Sequence, residues 1–133
     1  MKVVLLLALT TAVLVACNKA GNKEFIVNKK WRLTDVQNIP KDTSNSMVGM
    51  GYALAVLEAE NETFEVYTDK FVRRDSAGKE LSTSDVEWKD NDAVMRLIVA
   101  ADTMDFKISV DQTKRTFYLT EKNGITYVYT EIK

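Results

Sequence analysis

Along much of the chain, apolar and polar residues alternate one for one. Met104, Phe106, Ile108 and Val110 alternate with Thr103, Asp105, Lys107 and Ser109. A period of two places the first set on one face of a strand and the second set in water. Residues 125–132 (ITYVYTEI) are rich in β-branched and aromatic side chains, and residues 117–120 (FYLT) form a shorter piece of the same kind. Between them lies Glu121-Lys122-Asn123-Gly124. Asn-Gly is the pair favoured for a type I′ turn, because both residues tolerate positive φ. The pattern therefore predicts a C-terminal hairpin.

More strands follow upstream. Residues 30–36 place Trp31 and Leu33 on one face, and residues 63–68 place Phe64 and Val66 inward with Glu65 and Tyr67 opposite. Val86 and Trp88 flank Glu87, Asp90-Asn91-Asp92 makes a turn, and residues 94–99 (VMRLIV) continue as a strand. Residues 111–114 (DQTK) turn the chain before Phe117. Turns recurring about every 8–12 residues are the spacing of a sandwich or barrel. Residues 51–60 (GYALAVLEAE) contain good helix formers, yet Asn61-Glu62 resembles a turn into Phe64, and the pattern favours a strand there. Residues 37–50 hold the only proline, Pro40, and read as a long loop with a helical turn near 46–50; loops of that length usually carry function or stay disordered. Residues 76–84 read as a second polar connection, and Arg73-Arg74 as a solvated turn.

The N-terminus follows a different pattern. Met1 and Lys2 precede fourteen uncharged residues, 3–16 (VVLLLALTTAVLVA). A bilayer core needs about 20 apolar residues to be crossed, so the run is short for a span and suits the apolar region of a secretory signal peptide. The only Cys, Cys17, follows directly. Leu14-Val15-Ala16-Cys17 resembles the bacterial lipobox, in which a small residue precedes an acylated Cys. The resemblance implies cleavage between Ala16 and Cys17, followed by attachment of diacylglycerol and an N-acyl chain such as palmitate to Cys17. Each buried CH2 adds about 0.8 kcal/mol, so several chains hold firmly. Cleavage after residue 16 of 133 leaves 117 residues. Residues 17–23 then form the lipidated Cys and a small, polar tether, and residues 24–133 a single β domain. Asn18, rather than Asp, follows the Cys, and no acidic cluster does. By the conventions of bacterial lipoproteins this favours the outer membrane, facing the periplasm.

Composition narrows the chemistry. The chain has 133 residues, 46% hydrophobic and 28% charged, with no His, one Cys and a net charge of −1. Without His, and with one Cys, a Cys/His zinc site, a Ser-His-Asp triad and a Cys-His dyad are excluded. Near-zero charge leaves no electrostatic footprint for nucleic acid. Catalysis would fall to carboxylates such as Glu58-Glu60-Glu62, Asp85-Glu87 or Asp90-Asp92. Glycoside cleavage needs two of them flanking one bond, one with a raised pKa, and a hydrated strand edge raises none. Asp90-Asn91-Asp92 lacks the Gly and Glu that a calcium loop requires at its sixth and twelfth positions, where Met95 and Ala101 stand. Gly49-Met50-Gly51 lacks the Lys-Ser/Thr of a phosphate loop. The expectation is a protein that is not an enzyme and carries no cofactor or metal.

An early strand carrying Lys29-Lys30-Trp31-Arg32-Leu33, a long loop, a charged turn between Trp88 and Val94, and a final hairpin resemble the lipocalin-like domains of small bacterial lipoproteins. Lipocalins place a Gly two residues before this Trp, where Lys29 stands here, and stack a late Arg on it; Arg115 is the only Arg after Arg96. The resemblance implies an all-β fold: a small antiparallel up-and-down barrel, or a closely related β-sandwich. Eight strands enclose a space that side chains just fill, or that holds one small ligand. Trp31, Leu33, Phe64, Val66 and Trp88 are candidates to line that space, with Phe106, Ile108, Phe117, Tyr127 and Tyr129 from the later strands. If Tyr127 and Tyr129 face inward with Ile125, their hydroxyls need partners and offer polar handles to a ligand.

The expected function is a lipid-anchored envelope domain that binds a small apolar or amphipathic ligand in a barrel. The alternative is an interaction module with a filled core, docking an envelope protein or glycan through its surface. Replacing Cys17 by Ala removes the acylation site, so the variant leaves the detergent phase for the aqueous phase in a detergent-phase separation. Retention in the detergent phase would refute the lipid anchor.

Overall fold

The computed structural model describes residues 21–39 and 54–133. Eight strands run in chain order: β1 (Lys29–Gln37), β2 (Thr63–Val66), β3 (Lys70–Arg74), β4 (Glu80–Lys89), β5 (Val94–Val99), β6 (Asp102–Asp111), β7 (Thr116–Thr120) and β8 (Thr126–Glu131). Each pairs antiparallel with the next, and β8 pairs back onto β1. The result is a closed up-and-down barrel of lipocalin-like topology, and not a two-sheet sandwich. Closure leaves no strand at an open edge of the sheet, since each has a neighbour on both sides.

The alternation read from the sequence is the barrel's inside and outside. Trp31, Phe64, Val66, Phe106, Ile108, Phe117 and Tyr129 all lie in one buried cluster, with Leu33 at its margin. Phe117 is central: its ring meets Trp31 edge-on at 4.6 Å and stacks on Tyr129 at 4.8 Å. Phe64 and Phe71 close on Tyr129 at 5.3 and 5.9 Å. A short helix, α1 (Asn22–Ile26), plugs one end with Phe25 and Ile26. The Trp31 indole N–H donates to the Ile26 carbonyl at 3.0 Å, which ties the plug to the core. Arg115 does not reach Trp31; it pairs with Glu131 at the surface.

Several expectations are corrected. Residues 54–58 are helical and run into a 3-10 turn, Ala59–Asn61, where a strand was expected over 51–60; residues 51–53 lie outside the described part. Val56 and Ala59, three apart, pack on the core while Leu54 and Leu57 face water, so the period is that of a helix. Arg73-Arg74 is the end of β3 and not a turn. Arg73 pairs with Glu62 at 3.6 Å and Arg74 with Glu65 at 3.4 Å. The polar stretch 80–84 is the first half of β4. Asn22 and Lys23, assigned to the tether, belong to α1. The C-terminal hairpin is present, but its turn is not type I′. Gly124 has φ 93° while Asn123 has negative φ, and Gly124 N–H donates to the Glu121 carbonyl at 2.9 Å. That is a type I turn closed by a left-handed Gly. Of the long loop expected over 37–50, Gln37 belongs to β1, residues 38 and 39 follow it outside any helix or strand, and residues 40–50, with the helical turn expected near 46–50, lie outside the described residues.

The strands are staggered, as closure of a tilted barrel demands. β1 pairs with β2 only over Lys29–Trp31, and with β8 over Trp31–Gln37. β6 pairs with β5 over Asp102–Lys107, and with β7 over Lys107–Asp111. Two long strands therefore run past short neighbours at the end opposite α1. Beside β1, the helical segment 54–61 fills the space. Beside β6, the β7–β8 turn is the nearest chain.

Every strand and every described core residue lies after Asn22, so the chain from Asn18 onward contains the whole barrel. Trp31 is fully buried, and Trp31→Ala removes both its packing and the Ile26 hydrogen bond. The expected loss is about 3–5 kcal/mol, read as a lower urea midpoint. Val99, which is 54% exposed, should cost under about 0.5 kcal/mol when changed to Ala.

Candidate functional site

Most of the side chains named as candidates to line a cavity or fill the core are buried in the core cluster. Trp31, Val66 and Phe117 are completely buried, and Phe64, Phe106, Ile108 and Tyr129 nearly so. Burial pushes the Tyr129 phenol well above its ordinary pKa, so it stays neutral. Trp88 and Tyr127 sit at the edge of the cluster with their polar atoms directed elsewhere. The Trp88 indole donates to the Thr68 carbonyl at 2.9 Å, and Lys23 lies over its ring at 5.9 Å. The Tyr127 hydroxyl donates to Glu121 at 2.6 Å. The two tyrosines do share the inward face, but they are not paired handles around an axial cavity.

A spacious site among the described residues lies in the wall, where β6 parts from β7. It is a cleft of about 410 Å³. β6 contributes Asp105, Phe106 and Lys107; the end of β7 and its turn contribute Thr120, Glu121, Lys122 and Gly124; the β4–β5 hairpin contributes Lys89, Asp90 and Val94. Register explains the gathering. Lys107 lies opposite Val94 on one side and Thr120 on the other, and Val94 opposite Lys89. A second cleft of about 260 Å³ adjoins it, sharing Asp105, Glu121 and Lys122 and adding Met104 and Asn123.

Two loops shape the rim. Asp90, Asn91 and Asp92 turn in the left-handed region, with φ between 53° and 65°, which short polar side chains tolerate best. Opposite, the 121–125 turn is pinned by Glu121 N–H donating to the Ile125 carbonyl at 2.8 Å and by Ile125 N–H donating to Asn123 Oδ1 at 3.1 Å. Phe106 and Tyr127 meet edge-on at 6.2 Å between β6 and β8.

The charges in the cleft are not equivalent. Asp105 accepts a two-pronged contact from Arg96, Nε at 2.7 Å and Nη2 at 3.0 Å. That hydrogen bonding, with the nearby positive charges of Arg96 and Lys89, holds the Asp105 carboxyl below its usual range against a desolvation effect of opposite sign. Among the described residues, Lys89, Lys107 and Lys122 make no ion pair. Of the carboxylates considered for catalysis, Glu58 and Glu60 are exposed on the helical segment and Asp90 on the hairpin tip. Among the described residues no group of three acidic or sulfur ligands is placed to hold a metal ion. The lysines of the cleft went unnoticed in the sequence because they are 15 or more positions apart and only register unites them.

Compared with protein-family models, with curated proteins and with solved structures, the chain gives no match.

A depressed carboxyl pKa stabilises the fold above the ordinary carboxylate pKa, and the contribution fades as pH falls through the folded value. Arg96→Gln should therefore raise the Asp105 pKa toward its ordinary value, read by carbon-13 NMR of the carboxyl. An unmoved titration would show that Arg96 is not the cause.

Proposed function

We propose that this protein is a lipid-anchored barrel of the bacterial envelope that binds a small apolar or amphipathic ligand in the wall cleft between β6 and β7. The observation that supports this reading is the cleft itself. Its volume of about 410 Å³ lies within the range of small-molecule sites, and it combines Phe106 and Val94 with several polar groups. Along the barrel axis Trp31, Phe117 and Tyr129 are buried against one another.

In this reading Cys17 is acylated and the first 16 residues are removed. Asn22, where α1 starts, lies five residues beyond Cys17. Five extended residues reach at most roughly 18 Å, so the plugged end is held close to the bilayer and the opposite end points away. The membrane in question is the outer one, with the domain in the periplasm.

A second reading is supported by a separate observation. Leu54, Leu57, Leu81, Val99 and Met104 are 41–64% exposed, and all sit at the end away from α1. Exposed apolar groups at one end of the barrel suit the docking of an envelope protein or glycan.

Native mass spectrometry of the chain from Asn18 onward, purified from its own host, separates the two. The ligand reading expects a co-purifying small molecule that is lost when Gly124→Trp fills the cleft. Clean, ligand-free protein that captures a single envelope partner would favour docking.

A further inference from the structure

The turn between β7 and β8 holds the chain's only Asn-Gly pair, Asn123-Gly124. The side-chain amide of an Asn can be attacked by the peptide nitrogen that follows it. Space at that nitrogen, polarisation of the side-chain carbonyl and freedom of the peptide N–H decide how readily.

Two of these features favour the attack at Asn123. Gly124 has no Cβ, and the place where one would stand meets no atom within 4 Å beyond its chain neighbours, so approach to its nitrogen is open. Asn123 Oδ1 accepts from the Ile125 N–H at 3.1 Å. This Asx turn folds the side chain forward over Gly124. The Ile125 donor also stands where negative charge gathers on the oxygen once the amide carbon is attacked. Asn123 is exposed, so water reaches the site. Asn91 is also exposed, at the tip of the β4–β5 turn, but Asp92 follows it and its side chain crowds the nitrogen. The third feature opposes the attack. Gly124 N–H donates to the Glu121 carbonyl at 2.9 Å, and a nitrogen engaged in this way is not free to lose its proton. The turn must first open at that hydrogen bond.

We propose that Asn123 is a site of spontaneous self-modification, gated by the hydrogen bond between Gly124 and Glu121. Hydroxide takes the Gly124 amide proton, and the nitrogen bonds to the side-chain carbonyl carbon of Asn123. The side-chain nitrogen takes a proton from water and leaves as ammonia. Water then opens the cyclic imide at either carbonyl. One opening leaves an aspartyl residue, and the other an isoaspartyl residue whose main chain runs through the former Cβ. Either product adds a carboxylate beside Asp105 and Glu121 in the adjoining cleft, whose lining has Lys122 as its one cation. The isoaspartyl form also lengthens the main chain in a turn pinned by Thr126, whose Oγ1 donates to the Gly124 carbonyl at 3.2 Å. The conversion is a slow, one-way change in the rim of the wall cleft.

The chain from Asn18 onward, aged at neutral and mildly alkaline pH and then digested with pepsin in acid, reads the site by peptide mass. Position 123 should convert before Asn22, Asn28, Asn38, Asn61 and Asn91, and faster as hydroxide rises, giving aspartyl and isoaspartyl peptides that separate by chromatography. Asn123→Gln, whose longer side chain cannot form the same ring, should keep its mass, and a retained amide spectrum shows that it folds. Hydrogen exchange reads the gate. Cyclisation and exchange of the Gly124 amide need the same opening, so conversion should be slower than in urea-unfolded chain by the protection factor of that amide. Conversion as fast in the folded chain as in the unfolded one, with the Gly124 amide protected, overturns the gate. An Asn123 that stays intact beyond the delay set by the protection factor, or that converts after Asn91, overturns the site.

Discussion

The width of an eight-stranded barrel governs the rest of this structure. Eight strands leave an interior that side chains can just fill, and here large aromatic rings fill it. Trp31 sets its edge against Phe117, Phe117 stacks on Tyr129, and Phe64 and Phe71 close against Tyr129. Ring pairs in these tilted and offset geometries are worth about 0.5–1.5 kcal/mol beyond their buried area. They also interlock strands far apart in sequence. Trp31 on β1 and Phe117 on β7 are 86 positions apart. With the axis occupied in this way, the cleft that the described residues enclose between β6 and β7 lies outward, in the wall.

The wall has such places because closing a tilted sheet requires stagger. Each long strand pairs with one neighbour over one half and with the other neighbour over the rest, as β6 does on either side of Lys107. Where a short strand stops, its longer neighbour runs on without a ladder partner. β2, with four residues, leaves the second half of β1 uncovered, and the helical segment 54–61 packs Val56 and Ala59 there. β7, with five residues, leaves the first half of β6 facing only the 121–125 turn. The same geometric mismatch is filled by the chain on one side and left as a cleft on the other. Tyr127 braces that turn from β8, through its hydroxyl on Glu121 and its ring against Phe106.

These two sources of structure differ in how far the sequence reveals them. Period-two alternation is a local signal, and it located β1 and β6 with their inward faces and the β7–β8 hairpin, whose inward face it left open. β3 escaped because Phe71 and Val72 are adjacent and both buried, one inside the barrel and one on its outer face, so no alternation shows. The first half of β4 escaped because residues 80–83 are all exposed. The segment 54–61 was misread because four apolar residues in five, interrupted only by Glu58 before Ala59, satisfy a helix and a strand equally. The hairpin turn was right in place and wrong in type, because Gly124 takes the left-handed position that the Asn-Gly pair was expected to share. The cleft was not legible at all. Lys89, Lys107 and Lys122 belong to three separate hairpins, and nothing in their spacing announces that register brings them to one side of the barrel.

The plug connects the filled core to the orientation of the whole domain. α1 is only five residues long, too short to be stable by itself, and it holds its place because Phe25 and Ile26 are buried and the Trp31 indole caps the Ile26 carbonyl. The chain upstream therefore leaves the barrel at a fixed point, at the end opposite the exposed Leu54, Leu57, Val99 and Met104. A lipid on Cys17, a few residues further upstream, would draw that fixed point toward the bilayer. The wall cleft would then run lengthwise away from the membrane surface, with Lys89 and Lys107 at its proximal side and Met104 at its distal side.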